Sequence, residues 1–201
     1  RPPRYTLFPY TTLFRSFFFN SKDLCLIEHI PELIEAGVNS FKIEGRVKSE
    51  YYVATVVKAY REEIDSYLDN PQSYKFNQKH IEELCKVSHR EYSKGFWHGK
   101  PHSEGQIYDR SSYIRDYDVV GIVSECDEQG NTVVEQRNKF CVDDEIEVLR
   151  PKGEFVKFKI GEMTDENGKK ITAAPHAMMK VRLKLPEAVA ENSMLRKRRS
   201  I

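Results

Sequence analysis

From Gln106 to the C-terminus, apolar side chains recur at every second position, and that period constrains the fold more than any other feature. Val119 to Ser124, Thr132 to Gln136, Glu145 to Leu149, Phe155 to Ile160 and Met179 to Leu185 all read as strands. Val181, Leu183 and Leu185 alternate with Arg182 and Lys184, the mark of a strand with one buried face. Glu128-Gln129-Gly130-Asn131, Pro151-Lys152-Gly153 and Glu166-Asn167-Gly168 supply the turns between them. Five or six short strands in fewer than a hundred residues predict a small closed β-barrel. The run Arg196-Lys197-Arg198-Arg199 behind them reads as a solvated basic end, with phosphate binding as the alternative.

The first half has a different rhythm. Asp23 is placed to cap a turn of helix through Glu28. Pro31 suits the start of the next helix and Gly37 its end. Ser40-Phe41-Lys42-Ile43-Glu44-Gly45 then reads as a strand, with Phe41 and Ile43 on one face and Lys42 and Glu44 on the other. Ser49 can cap a long helix over 50–68, in which Val53, Val56, Val57, Tyr60, Ile64 and Tyr67 recur at helical spacing. Asp69-Asn70-Pro71 ends it, and a shorter helix over 77–87 follows with Ile81, Leu84 and Cys85 inward. Strand, helix, strand, helix argues for parallel α/β pairing. A glycine- and proline-bearing stretch at 91–103, holding the single tryptophan, reads as a linker between 17–90 and a β-domain at 104–201.

Residues 1–16 read as foreign to the fold, since Thr6 to Ser16 is similar to a translated sequencing adapter. Without Arg1, Arg4 and Arg15 there are 29 lysines and arginines against 31 acids, and the net charge moves from +1 to −2. A chain so balanced can hold RNA only through a local patch. No apolar run is long enough for a membrane span, and no signal peptide is visible. Four irregularly spaced cysteines do not outline a disulfide framework, which makes a reducing, cytoplasmic setting the default.

Candidate chemistry concentrates between Asn20 and Ser49. Cys25 precedes a helix, and Glu44, Arg46 and Lys48 close the 40–45 strand. An acid between two bases could serve acid–base chemistry or anion capture. Equally it could be a solvated loop with an ion pair worth ~0–1 kcal/mol. By periodicity alone the strand is better served by a sheet edge with one wet face than by a barrel interior. Cys25 alone reads as a small buried hydrophobe. Cys85 and His89 lie four apart on a helix, as metal ligands can, but only two ligands are visible. Gly99 and Pro101 deny a shared helix face to His98 and His102.

The stretch NSKDLCLIEHIPELIEAG, followed by SFKIEGRVKS and a Tyr-Tyr-Val-Ala helix, resembles peptidase family U32, the collagenase-like proteins. The family more usually has Met where this chain has Val47. The resemblance implies that 17–90 is the end of a TIM-type β/α barrel whose earlier part lies upstream, followed by a β-barrel domain. In such a barrel the strand's carboxyl end is where chemistry sits. Glu44 and Arg46 are then candidate catalytic residues at the mouth, with Lys42 and Lys48 as substrate or RNA contacts. It also implies that Cys25 ligates a four-iron-four-sulfur cluster in the full-length parent, with no cofactor in this part alone. The implied function is RNA hydroxylation, forming a 5-hydroxy-pyrimidine in tRNA or rRNA with prephenate as a partner. No membrane or DNA partner is implied. Proteolysis is the alternative from the family label, although no nucleophile–base context or HExxH motif is present. A non-catalytic RNA-docking or structural module is the third reading.

Overall fold

The computed structural model describes residues 20–109 and 112–199. The adapter-like string and the strand start at Phe17 to Phe19 lie outside them.

The first strand among the described residues is the two-residue β1 (Asp23–Leu24), which pairs in parallel with β2 (Tyr92–Ser93). Asp23 therefore begins a strand instead of capping a helix. β2 falls inside the stretch read as a linker. A 3₁₀ turn at Ile27–His29 leads into α1 (Ile30–Glu35), which has Pro31 in its first turn and ends before Gly37, at φ +83°. α2 (Glu50–Asp69) starts where expected, because the Ser49 side chain accepts the Tyr52 N–H at 3.2 Å. Asn77 does the same for α3 (Gln78–Leu84), accepting from Lys79 at 3.1 Å.

The expected strand at 40–45 does not form. Residues 38–45 carry no strand ladder, and a strand without neighbours has nowhere to place its backbone donors except water. Alternation survives: Phe41 and Ile43 are half-buried while Lys42 and Glu44 are exposed. Among the described residues, parallel pairing is thus confined to β1 and β2, and the helices do not alternate with a β/α barrel wall.

The second half is an antiparallel sheet. Its strands are β3 (Tyr117–Cys126), β4 (Asn131–Gln136), β6 (Glu145–Leu149), β7 (Val156–Lys159), β8 (Met163–Asp165), β9 (Lys170–Ile171), β11 (Lys180–Lys184) and β12 (Met194–Arg198). Their order is β7-β6-β12-β3-β4-β11-β8-β9. A separate pair joins β5 (Phe140–Cys141) to β10 (Ala173–Ala174). The expected closed barrel is therefore a curled half-barrel with β7 and β9 at its edges. Two register shifts in β3, opposite Leu195/Arg196 and between Val123 and Glu125, add the bend that curls it. The core holds Val120, Val123, Val134, Phe140, Ile146, Val148, Val181 and Leu195.

β12 corrects the largest misreading. The basic run is only partly a solvated end: Arg198 and Arg199 are exposed, but Arg196 is completely buried and its strand lies between β3 and β6. Leu195 points into the half-barrel, whereas Met194 and Arg196 point out towards the helices. β6 divides the same way, with Ile146 and Val148 inward and Glu147 and Leu149 outward. The outer face is covered too, because α2 and α3 pack on it through Tyr51, Val56, Ala59 and Leu84.

Candidate functional site

Cys25 follows the carboxyl end of β1, and its N–H donates to the Ser93 carbonyl at 3.0 Å. That bond ties the ends of the two parallel strands together. The thiol is buried at 3% exposure, with the Tyr60 hydroxyl 3.8 Å from Sγ; this hydroxyl also accepts the Leu26 N–H at 3.2 Å. Burial, then the neighbouring Cys25, pushes the Tyr60 phenol well above its ordinary range, so it stays a neutral donor. Burial raises Tyr92 and Cys85 as well, again with Cys25 as the next cause.

Tyr52 joins this thiol to the acid–base motif. Burial raises its pKa, and Asp23, Cys25, Tyr113 and Glu44 are each close enough to raise it further. Cys25 and Glu44, nineteen residues apart in sequence, thus both act on this one phenol. Opposite, the Lys48 ammonium lies over the Tyr52 and Tyr113 rings, at 5.0 and 4.2 Å from their centroids. Arg90 faces Tyr113 at 5.5 Å and donates Nε to Asp23 at 3.1 Å.

Glu44 accepts the Arg46 N–H at 3.0 Å, and the Gly45 carbonyl accepts the Lys48 N–H at 2.9 Å. The acid therefore closes a turn and leaves the Arg46 side chain exposed. Gly45 serves this turn by close approach: a Cβ there would stand 2.9 Å from Cγ2 of Val53. Lys42 is exposed on the segment that leads into this turn.

The other pairs resolve differently. His89 is buried, stacks on Tyr92 and turns Nδ1 to the Val87 carbonyl at 2.8 Å. Among the described residues, no three His, Cys, Asp or Glu side chains group as metal ligands. His98 packs edge-on against His29 and joins the 91–103 loop to the 3₁₀ turn.

Two buried polar clusters were missed by the sequence reading. Glu63 is 1% exposed and bonded by the Tyr74 hydroxyl and His80 Nδ1. Its only sequence signal is the four-residue spacing Tyr51, Thr55, Ala59, Glu63, Tyr67, which marks the buried stripe of α2. The second cluster centres on Arg196. Its Nη2 donates to both Glu83 oxygens at 2.9 and 2.7 Å, its Nε to Glu147 at 3.0 Å and its Nη1 to the Tyr51 hydroxyl at 3.2 Å. Lys86 joins Glu83 and Glu147 at 2.7 and 2.8 Å. Burial pushes the Glu147 carboxyl up, but Lys86 and Arg196 outweigh it and hold the pKa below the usual carboxylate range. Burial likewise lifts Tyr51 to about 12. A groove of about 530 Å³ between α2 and the sheet has Val53, Val57, Leu149 and Met194 among its lining.

Residues 7–107 match the model of peptidase family U32, and residues 115–196 match the family's C-terminal domain. The chain belongs to peptidase family U32. The first match begins at residue 7, inside the adapter-like string. Over 182 residues, 90% of this chain and 43% of the relative, it is 40% identical to tRNA hydroxylation protein P1 of Bacillus subtilis. It is 33% identical to tRNA hydroxylation protein P of Escherichia coli, over 90% of this chain and 39% of that protein. A collagenase of Porphyromonas gingivalis is 35% identical over 41% of this chain and 22% of its own length. The chain spans about two fifths of the two tRNA hydroxylation relatives. Among the described residues, no helix is long and apolar enough to cross a membrane.

Proposed function

We propose that this chain is part of an RNA hydroxylation factor, contributing one rim of the site together with a β-domain. The observation carrying the reading is the identity to tRNA hydroxylation proteins along 90% of the chain, against 41% for the collagenase. The chemistry at β1 and β2 is consistent with it. Arg46 offers an exposed planar fork suited to phosphate or carboxylate, so either an RNA backbone or prephenate could be its ligand. Lys42 and Lys48 add positive charge along the same segment. Glu44 holds the turn that presents Arg46.

A four-iron cluster, when bound, supplies redox chemistry. In this reading it takes Cys25 as one thiolate and further thiolates from outside the described residues. A peptidase reading lacks comparable support, because the thiol of Cys25 has a tyrosine hydroxyl beside it where a cysteine protease needs a base.

The test is complementation. The full-length protein is expressed in a bacterial strain lacking its own tRNA hydroxylation proteins, and 5-hydroxyuridine is measured in digested tRNA by mass spectrometry. Restoration by the wild type, and its loss in Arg46→Lys at normal protein abundance, is expected. No restoration by a well-folded wild type would sink the reading.

A further inference from the structure

β1 and β2 end side by side, and the chain beyond β2 immediately folds into a compact loop. The Trp97 N–H donates to the Lys94 carbonyl at 3.1 Å, and the Gly99 N–H to Phe96 at 3.0 Å. Gly95 and Gly99 flank the loop at φ +55° and +108°, values that suit glycine. The loop presents its aromatic side chains outward: Phe96 is 76% exposed and Trp97 36%. Leu24, at the end of β1, adds a third exposed apolar side chain beside Gly95. Leaving these groups in water forfeits the stabilisation their burial would give.

Trp97 is nevertheless held in place. It stacks on His29 with ring centroids 4.6 Å apart and planes at 29°, and His98 meets the same imidazole edge-on at 5.7 Å. His29 turns Nδ1 towards Glu32 at 3.4 Å, while its Nε2 is buried with no hydrogen-bond partner among the described residues. The platform is thus an ordered aromatic stack with one polar atom still wanting a partner.

Charge selects the kind of occupant. From Ser93 to Ser103 there is no acidic residue, while Lys94, His98, Lys100 and His102 are all present. Lys94 pairs with Glu28, leaving Lys100 exposed at the far side of the loop. Rings that accept any π-face, on a loop that carries cations and no acid of its own, match unpaired nucleobases on a phosphate backbone. A base-paired helix would hide the faces that such rings stack on.

We propose that Phe96 and Trp97 form a base-stacking platform for a single-stranded segment of RNA, with Lys100 contacting its backbone. This rests on the RNA reading above and deepens it by naming the part of the RNA that is held.

Trp97 is the chain's only tryptophan and so reports on its own site. The full chain is titrated with a short single-stranded oligouridylate and, separately, with a blunt duplex of equal length. Tryptophan fluorescence and the anisotropy of dye-labelled RNA are read together. The single strand is expected to quench Trp97, and the duplex is not. Phe96→Ala, a change at an exposed side chain, should weaken single-strand binding roughly tenfold, about the loss of one stacked base. Lys100→Gln should lower the slope of log affinity against log salt by about 1. Binding without quenching, and unaltered in Phe96→Ala, overturns the platform while leaving the RNA reading intact. Equal binding and quenching by duplex overturns the single-strand assignment. No binding of either RNA overturns both.

Discussion

Arg196 shows how much a single side chain can be asked to do. Its guanidinium reaches a phenol and two carboxylates at once, from three different elements. A lysine is a compact point charge and cannot span that fork. Arg196→Lys should therefore cost roughly 3 kcal/mol in urea unfolding, in the range for breaking a buried pair. The pH dependence has a definite sign. Glu147 is depressed in the fold, so its contribution is fully present above the ordinary carboxylate pKa and disappears as pH falls through the lower folded value. The wild type should lose stability on acidification across that window. Glu147→Gln, already lacking the charge, should show a flatter profile there. Equal slopes would mean that other carboxylates carry the acid transition.

At the scale of elements, the turns were the most legible part of the sequence. Asp127-Glu128-Gln129-Gly130 and Asp165-Glu166-Asn167-Gly168 each build the same device. The aspartate accepts two backbone N–H groups, and the glycine sits at φ near +80°. They differ in surroundings, which sequence does not carry. A Cβ on Gly168 would meet open space, whereas one on Gly130 would stand 2.5 Å from the Leu185 carbonyl. Gly168→Ala should cost about 1 kcal/mol, the strain of a left-handed residue. Gly130→Ala should cost at least twice that in the same thermal melt. Caps were legible for the same local reason, as Ser49 and Asn77 show. Faces were not. Val53 and Val57 fit the expected stripe of α2 yet are exposed, while Thr55 and Glu63 take buried places. What buries Glu63 is the distant pair Tyr74 and His80, and such partners are invisible to periodicity. β12 was missed because Arg196-Lys197-Arg198 looks like a solvated tail until Glu83, Glu147 and Asp144 are seen facing it. Cys25 and Glu44 stand out in the sequence, but that both act on the Tyr52 phenol is visible only in the fold.

For the whole molecule, the question is what fixes the helices on the sheet. The half-barrel core is self-contained: its members all come from β3 onward. The second core is shared, with Leu149, Val119 and Met194 of the sheet packing among side chains of α2 and α3. Residues 112–199 expressed alone should therefore retain exchange-protected strands while leaving that outer face in water. Arg196 and Glu147 would then form a solvated pair, and such pairs contribute only ~0–1 kcal/mol. In the full chain the same pair is desolvated beneath Tyr51 and Glu83, and removing one partner strands a buried charge at roughly 3–5 kcal/mol. Glu147→Gln should thus be severe in the full chain and almost silent in the isolated half-barrel. Chemical denaturation of the four proteins measures both penalties directly. If the penalty is the same in both contexts, the Arg196 cluster belongs to the sheet alone and does not lock the helices to it.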